Sequence, residues 1–472
     1  MLDPSTVLAI SATLLGALHF AIGAGVTVHV LLNKRDVPAA IGWIGIGWFA
    51  PIVGALLYLG FGINRVRRRA RRLKGVNRHP DRASARDNSS SDPIERLKVA
   101  IGAITGQQLA IGKVAAILQS GDQGYPEMLE AIEAAQSSIR LATYIFRNDA
   151  LGARFIAALA RAHGRGVETR VLIDGFGGGF LLSLAYRRLR RERVPVARFL
   201  HSLLPWKMPF LNLRLHKKSL VVDGRIAFIG GLNIGAENLV ETHPKAPVRD
   251  CHFRLEGPVV RQIEKAFDDD WLFTTGEAAP KAKDSPSMIP RDGASARVIV
   301  SGPDQETDKL DLVLLSAIHS ARRSLHIATP YFLPDEQIVT ALQLAALRGV
   351  EVDLVLPAVN NQFLVGWATP PHIRPLLVAG CRVWRNPPPF DHTKLMTVDG
   401  EWSLIGSANW DMRSLRLNFE LTAEFYEADL AVALARRIGA RCLDPITLAD
   451  IDGRPFLMKL RDAAARLTSH YI

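Results

Sequence analysis

Residues 215–233 read LHKKSLVVDGRIAFIGGLN, and 176 positions later residues 391–409 read DHTKLMTVDGEWSLIGSAN. Each stretch holds His, one residue, Lys, four residues, Asp and then Gly. The apolar runs around Asp223-Gly224 and Asp399-Gly400 predict two β-hairpins, because Asp-Gly is a favoured two-residue turn. Residues two apart on a strand share a face. His216 therefore projects beside Lys218, and His392 beside Lys394. Counting back from a two-residue turn sets His216 opposite Gly231 and His392 opposite Ser407. The return strands leave through GGLN and GSAN, which puts Asn233 and Asn409 just past the same edge.

An imidazole, an ammonium, a hydroxyl and an amide together suit a phosphate. Lys218, Lys394, Asn233, Ser407 and Asn409 are candidates for its oxygens. His216 and His392 are candidates to attack phosphorus and to carry protons. One histidine cannot be nucleophile and leaving-group acid in the same step, whereas two can. Asp223 and Asp399 complete the motif and are kept among the candidate catalytic residues, although a turn Asp more readily hydrogen-bonds local backbone. A nucleophilic imidazole needs its other nitrogen held by an acceptor. Asp250 in VRDCHF and Glu420 in RSLRLNFE are the carboxylates expected to orient the histidines; ion pairs with Arg249 and Arg416 are their alternative.

The repeat is wider than the motif. AIEAAQSSIRLATYIF (131–146) matches AIHSARRSLHIATPYF (317–332), and ALARAHGRGVETRVLID matches ALQLAALRGVEVDLVLP. Each is a helix, a stop and an apolar strand, which predicts layered α/β structure. Two homologous α/β domains follow, 94–285 and 286–472, related by a pseudo-two-fold axis that lets two half-sites build one whole site.

The N-terminus differs from everything after it. Residues 7–32 and 37–63 contain no Asp, Glu, Lys or Arg. About 20 apolar residues span a bilayer, so each segment is long enough. A cleaved signal peptide fits poorly, because no basic stretch precedes the first segment and a second follows directly. The short NKRDVP link predicts a two-helix membrane hairpin, with Pro51 a site for a kink or a re-entrant course. Seven Lys or Arg lie between Arg65 and Lys74. That collar places residues 1–75 as a membrane anchor with both ends cytoplasmic and offers contact with anionic headgroups. Residues 76–93 read as a flexible linker.

A net charge of +12 and a pI near 9.8 call for an anionic partner: nucleic acid, acidic lipid or a phosphorylated substrate. The membrane hairpin argues against nucleic acid. Cys251, Cys381 and Cys442 show no ligand spacing, so neither a disulfide scaffold nor a metal is expected, and no cofactor is. The apolar stretch FLHSLLPWKMPFLNL (199–213), with Trp206 and Phe210, is expected either to dip into the membrane interface or to pack as a core loop. YRRLRRERVP (186–195) reads mainly as a solvated helix face, and NNQFLVGWATPPH (360–372) as a wall for acyl chains. The oligomeric state is not encoded legibly.

The doubled motif resembles the phospholipase D superfamily. TPYFLPDE, AALRGVEVDLVLP, GSANWDMRSLRLNFE, RDCHFRLEGPVV and FDDDW are similar to the bacterial cardiolipin synthases, as is a hairpin followed by a basic stretch. The resemblance runs from the first apolar segment to about Glu427. It implies metal-independent transfer of a phosphatidyl group between two phosphatidylglycerol molecules through a phosphohistidine, at a bacterial inner membrane with the catalytic domains cytoplasmic. It gives His216 and His392 as nucleophile and general acid/base, with His216 favoured as nucleophile. Lys218, Lys394, Asn233 and Asn409 would hold phosphoryl oxygens, and Asp250 and Glu420 would orient the rings. Leu215, where many relatives have a polar residue, and PPPFD before His392 depart from the pattern. Hydrolysis, another acceptor alcohol, a nuclease and a non-enzymatic scaffold are the competing readings.

Overall fold

A computed structural model describes residues 3–34, 37–62, 91–179, 182–201, 213–242, 244–278, 289–302 and 309–469. The basic collar, most of the proposed linker and the loop holding Trp206 and Phe210 lie outside the described residues.

At the N-terminus, α1 (Pro4–Asn33) is a single helix of 30 residues. Its segment Ile10–Asn33 is long and apolar enough to cross a membrane. The second apolar segment is broken into α2 (Val37–Phe49) and α3 (Pro51–Leu57). Pro51 lacks an N–H and its ring disfavours helical backbone before it; Ala50 accordingly sits at φ −141°, ψ 70°. The sequence predicted two spanning helices, and among the described residues one helix meets that length. The two segments still pack together: Gly23 faces Trp48 and Gly47 faces Val26. Trp48 Nε1 donates to Thr27 Oγ1 at 3.0 Å.

From Pro93 onward the architecture is layered α/β. The strands in chain order are β1 (Ala110–Gln119), β2 (Ser138–Thr143), β3 (Glu168–Asp174), β4 (Val196–Phe199), β5 (Arg214–Leu215), β6 (Ser219–Val222), β7 (Ile226–Gly230), β8 (Val248–Arg249) and β9 (Cys251–Glu256). They continue as β10 (Ala294–Ser301), β11 (Ser324–Ala328), β12 (Phe332–Leu333), β13 (Glu351–Pro357), β14 (Arg382–Asn386), β15 (Phe390–Asp391), β16 (Leu395–Val398), β17 (Trp402–Gly406), β18 (Trp410–Asp411), β19 (Asn418–Tyr426) and β20 (Asp444–Ile446). The first half orders its strands β4-β3-β2-β6-β7-β9-β1, and the second repeats the pattern as β14-β13-β11-β16-β17-β19-β10. β1 and β10 join antiparallel, Ala110 beside Ala296, so one sheet runs through both halves.

Period-two alternation buries both faces of this sheet. Leu220, Val222 and Phe228 pack with helices 120–134 and 150–164. Val221, Ala227 and Ile229 point the other way, into a core shared with Leu395, Ile405, Ala423 and the helices 259–275 and 428–439. That core draws on both halves, so neither half's inner face is complete alone. Helix 184–191 buries Ala185 and Leu189 and exposes its arginines, as expected of a solvated face.

Near the junction the core contains charge. Arg297 and Glu424 are direct neighbours on β10 and β19. They pair at 3.0 Å with almost no exposure. Trp402 Nε1 and the Tyr426 hydroxyl also donate to Glu424, at 2.9 and 2.8 Å. Removing one member of a buried pair strands the other, at about 3–5 kcal/mol. Denaturant unfolding of the full chain, followed by Trp fluorescence, should show Glu424→Leu destabilised by about that much, with Arg297→Met/Glu424→Leu recovering most of it. A single variant no weaker than the double would refute this account of the junction.

Candidate functional site

The two motif hairpins form, with one correction to the predicted register. Val222 pairs with Ile226 and Val398 with Trp402, so each loop holds three residues. Continued along the strands, His216 falls opposite Leu232 rather than Gly231, and His392 opposite Ala408 rather than Ser407. Asp223 and Gly224 both take left-handed φ (53° and 62°), as do Asp399 and Gly400 (54° and 70°). Arg225 N–H then closes on Val222 O, and Glu401 N–H on Val398 O, each at 3.0 Å. The ladder starts one residue later than a two-residue loop allows.

The motif carboxylates hold these turns. Asp223 accepts from the backbone N–H groups of Gln136, Ser137 and Ser138, the last two at 2.7 and 2.9 Å. Asp399 does the same for Arg322, Arg323 and Ser324. Both sit at the end of the hairpin away from the histidine, seven strand positions or roughly 23 Å along the chain. They anchor hairpin to neighbouring strand, and their place among the catalytic candidates is corrected accordingly.

At the other end the two motifs converge. The His216 and His392 rings stand 6.5 Å apart between centroids, at 85° to one another. Each ring is held by a carboxylate from the opposite half. Glu420, at β19, meets His216 Nδ1 at 2.9 and 3.0 Å. Asp250, just before β9, meets His392 Nδ1 at 2.8 Å. The alternative of ion pairs to the adjacent arginines does not occur at Asp250 or Glu420: Arg416 instead pairs with Asp335.

The neighbours of the two carboxylates differ. A Cβ at Gly231 would lie 2.1 Å from Asp250 Oδ1, so that position admits only glycine while Asp250 keeps its place. Ser407 donates from Oγ to Glu420 at 2.5 Å and accepts from Leu421 N–H at 3.0 Å. Ser407 is 1% exposed. It was expected to bind phosphate; it steadies Glu420 instead, because the shifted register turns its side chain beneath the sheet edge.

Lys218 and Lys394 are also buried, and each donates to the carbonyl of its own motif histidine. Burial, the largest effect, lowers Lys218 to about 7 and Lys394 to about 8; the Lys394 ammonium lowers Lys218 further, while Glu420 and Asp250 oppose the shift at both. Burial and then the neighbouring ammonium groups hold both imidazoles neutral, His392 at about 4 and His216 well below its ordinary value. The carboxylates diverge. Burial would raise Asp250, but Lys394 and His392 outweigh it and keep it low and ionised. Burial pushes Glu420 up to about 7 against Lys218 and Ser407.

Both rings open on a cavity of about 1280 Å³. Asn233 and Asn409 line it. Asn233 Oδ1 accepts from Ile145 N–H at 3.1 Å, which leaves Nδ2 for a ligand. Asn360, Phe363 and Val365 supply part of the wall expected of the 360–372 stretch. Sequence reasoning missed Tyr144, whose ring lies 5.3 Å from His216, and Tyr331 and Phe390, which flank His392 at 5.9 and 6.0 Å. It also missed Arg214 and Arg413. Arg214 stands two residues before His216 and was available to inspection; Arg413 carried no signal, since its distance from the histidines arises only from folding.

Asp250→Asn should leave the His392 ring without its anionic acceptor and lower kcat by about 10²–10⁴. Gly231→Ala should do comparable harm by displacing Asp250, with near-native unfolding of the full chain. Gly231→Ala enzyme with unchanged turnover would contradict the crowding described here.

The family model described as "Cardiolipin synthase, PLD-like domain" matches residues 128–271 and 314–440. A cardiolipin synthase of Geobacillus thermodenitrificans is 32% identical over 455 residues, 93% of this chain and 90% of the relative. Cardiolipin synthase A of Pseudomonas fluorescens is 34% identical over 452 residues, 93% and 92% of the two chains. Among solved structures, the phosphatidylserine synthase of Haemophilus influenzae superposes with a TM-score of 0.62 at 14% identity, covering 80% of this chain and all of that one, a likeness of fold. Each matched segment carries one histidine, one lysine and one orienting carboxylate of the site, and the chain belongs to the PLD-like cardiolipin synthase family.

Proposed function

We propose that this enzyme, a phospholipid phosphatidyltransferase, makes cardiolipin from two molecules of phosphatidylglycerol. The observation that carries the reading is the convergence of two carboxylate-held imidazoles 6.5 Å apart on one cavity. Reacting atoms approach to about 3–3.5 Å before bonding, so one phosphorus fits between the rings. One neutral imidazole attacks phosphorus through Nε2, forming an N–P bond. The P–O bond to glycerol breaks, and the other imidazole, which takes up a proton on Nε2 when the anionic phosphodiester enters, gives that proton to the departing glycerol. A hydroxyl of the second phosphatidylglycerol then gives its proton back to that imidazole and attacks phosphorus. The N–P bond breaks and cardiolipin leaves.

Lys218 and Lys394 neutralise the non-bridging oxygens, and Asn233 and Asn409 donate to them. Charge developing in the transition state meets donors already in place. Asp250 and Glu420 keep a proton on Nδ1 of each ring, so the attacking ring presents its Nε2 lone pair and the other, once protonated, an Nε2–H. No step calls for a metal.

The division into PLD-like domains 94–285 and 286–472 with a pseudo-two-fold axis belongs to this reading, supported by the repeated strand order. So does an anchor in which both apolar segments cross an inner membrane and leave the catalytic part cytoplasmic. The collar's charge and the packing of α1 on α2 favour it.

Labelled phosphatidylglycerol in vesicles with the full chain should yield diphosphatidylglycerol and free glycerol; phosphatidic acid as the main product would make the chain a hydrolase. His216→Ala and His392→Ala should each abolish turnover, and retained activity in either contradicts the paired mechanism. A lysine must be protonated to hold phosphate, so kcat/KM should fall as pH rises through about 7–8. Lys394→Arg should move that alkaline limb upward at whatever rate survives, because a guanidinium keeps its charge. A limb unmoved in both Lys218→Arg and Lys394→Arg would assign it to another group.

A further inference from the structure

Joining two phosphatidylglycerols brings two phosphodiesters into one site, and the two motif lysines serve the one that reacts. A second anion needs other cations. Among the described residues lining the cavity, three are cationic: Arg147, Arg214 and Arg413. Arg147 is tied to Glu237 at 3.1 Å. We infer that Arg214 and Arg413 form a second phosphodiester subsite, which holds the acceptor lipid's own phosphate while its glycerol hydroxyl reaches the reacting phosphorus.

Arg214 is a built site rather than a surface charge. It is 8% exposed, and its Nε has no hydrogen-bond partner. Nη1 donates to Leu213 O at 2.9 Å. The guanidinium lies over the Phe176 ring, 4.2 Å from its centroid, which fixes the plane of the fork. Tyr144, the ring against His216, also bonds Arg214 and feels Arg413. The Arg413 charge opposes that of Arg214, and both side chains line the same cavity. Asp174 offsets part of the Arg214 charge and Asp411 feels Arg413, and both acids also hold backbone N–H groups. Asp174 accepts from Phe176, Gly177 and Leu215 N–H groups, and Asp411 accepts from Ser414 N–H.

The repeat sharpens the argument. Arg214 stands two residues before His216; two before His392 stands Phe390. Arg413 stands four after Asn409; four after Asn233 stands Glu237. On the strands, Arg214 is paired with Asn418, whereas Phe390 is paired with Val248. The positions that are cationic or polar beside one motif are aromatic, aliphatic or acidic beside the other. A site that transfers between two unlike groups, one carrying a distant phosphate and one a bare glycerol, calls for this asymmetry. The motif residues alone do not supply it.

The inference rests on the cardiolipin reading, and its test separates the two. Full-length enzyme in phosphatidylglycerol vesicles is given labelled glycerol. Incorporation of label into phosphatidylglycerol reports formation and reversal of the phosphohistidine with an acceptor that carries no phosphate; cardiolipin formation reports the lipid acceptor. In Arg413→Gln and Arg214→Gln the ratio of cardiolipin formed to glycerol exchanged should fall by at least about ten-fold, with the loss in apparent KM for lipid, and Arg413→Lys should restore part of it. A ratio equal to wild type, whether both reactions fall together or both persist, overturns the subsite. Arg413 is the more exposed of the two, so its variant decides the matter if Arg214→Gln does not fold. Wild-type enzyme that exchanges glycerol but forms no cardiolipin sinks the proposed function instead.

Discussion

The crossed pairing of carboxylate and imidazole is the constraint on which the rest depends. Glu420 comes from the second half and holds the first half's histidine; Asp250 comes from the first half and holds the second's. Neither hairpin alone supplies an oriented ring. The continuous sheet through β1 and β10 and the core shared between halves keep this exchange in register. A domain that drifted by an ångström would break both pairs at once, since hydrogen bonds weaken steeply with distance and angle.

Burial sets the chemistry inside that frame. Removing water makes every charge expensive unless partnered. It therefore drives the imidazoles neutral and the lysines toward neutrality at ordinary pH. A phosphate entering the site restores the missing negative charge and favours protonated lysine, so binding and charging are linked. The two carboxylates respond differently to the same burial: Asp250 stays ionised beside Lys394, while Glu420, bonded by Ser407 and Asn418, is pushed up to about 7. The glycine at 231 and the serine at 407 are the sequence record of that difference.

Much of this was legible in the residues. The doubled motif pointed to the hairpins and the convergence of His216 with His392, because identical spacing constrains a strand's face; the two acids were picked from the stretches downstream of each hairpin, because an oriented imidazole needs an acceptor. The β-layer pattern followed from apolar alternation. The turn was misread by one residue, since Asp-Gly suits a two-residue loop locally and the anchoring of Asp223 to 136–138 is a tertiary fact. The same slip misplaced Ser407. Which acid meets which histidine was not legible, because nothing in a linear pattern says that strands exchange partners across a junction. Arg413 was invisible for the same reason. The second apolar segment was read as a continuous span, with Pro51 noted as a place for a kink, and there the proline breaks the helix.

The motif makes a two-fold site, and transfer between a glycerol and a lipid is not two-fold. The differences between halves, Arg214 against Phe390 and Arg413 against Glu237, are where the chain departs from its own repeat. The central claim is that the two rings serve one phosphorus atom in turn. Rapid quench of the full-length enzyme with lipid labelled at phosphorus, kept alkaline to preserve a phosphoramidate, tests it most directly by peptide mapping. The account predicts an acid-labile adduct of at most one per chain, on the peptide containing either His216 or His392. Two adducts per chain, or label on neither peptide, would contradict it.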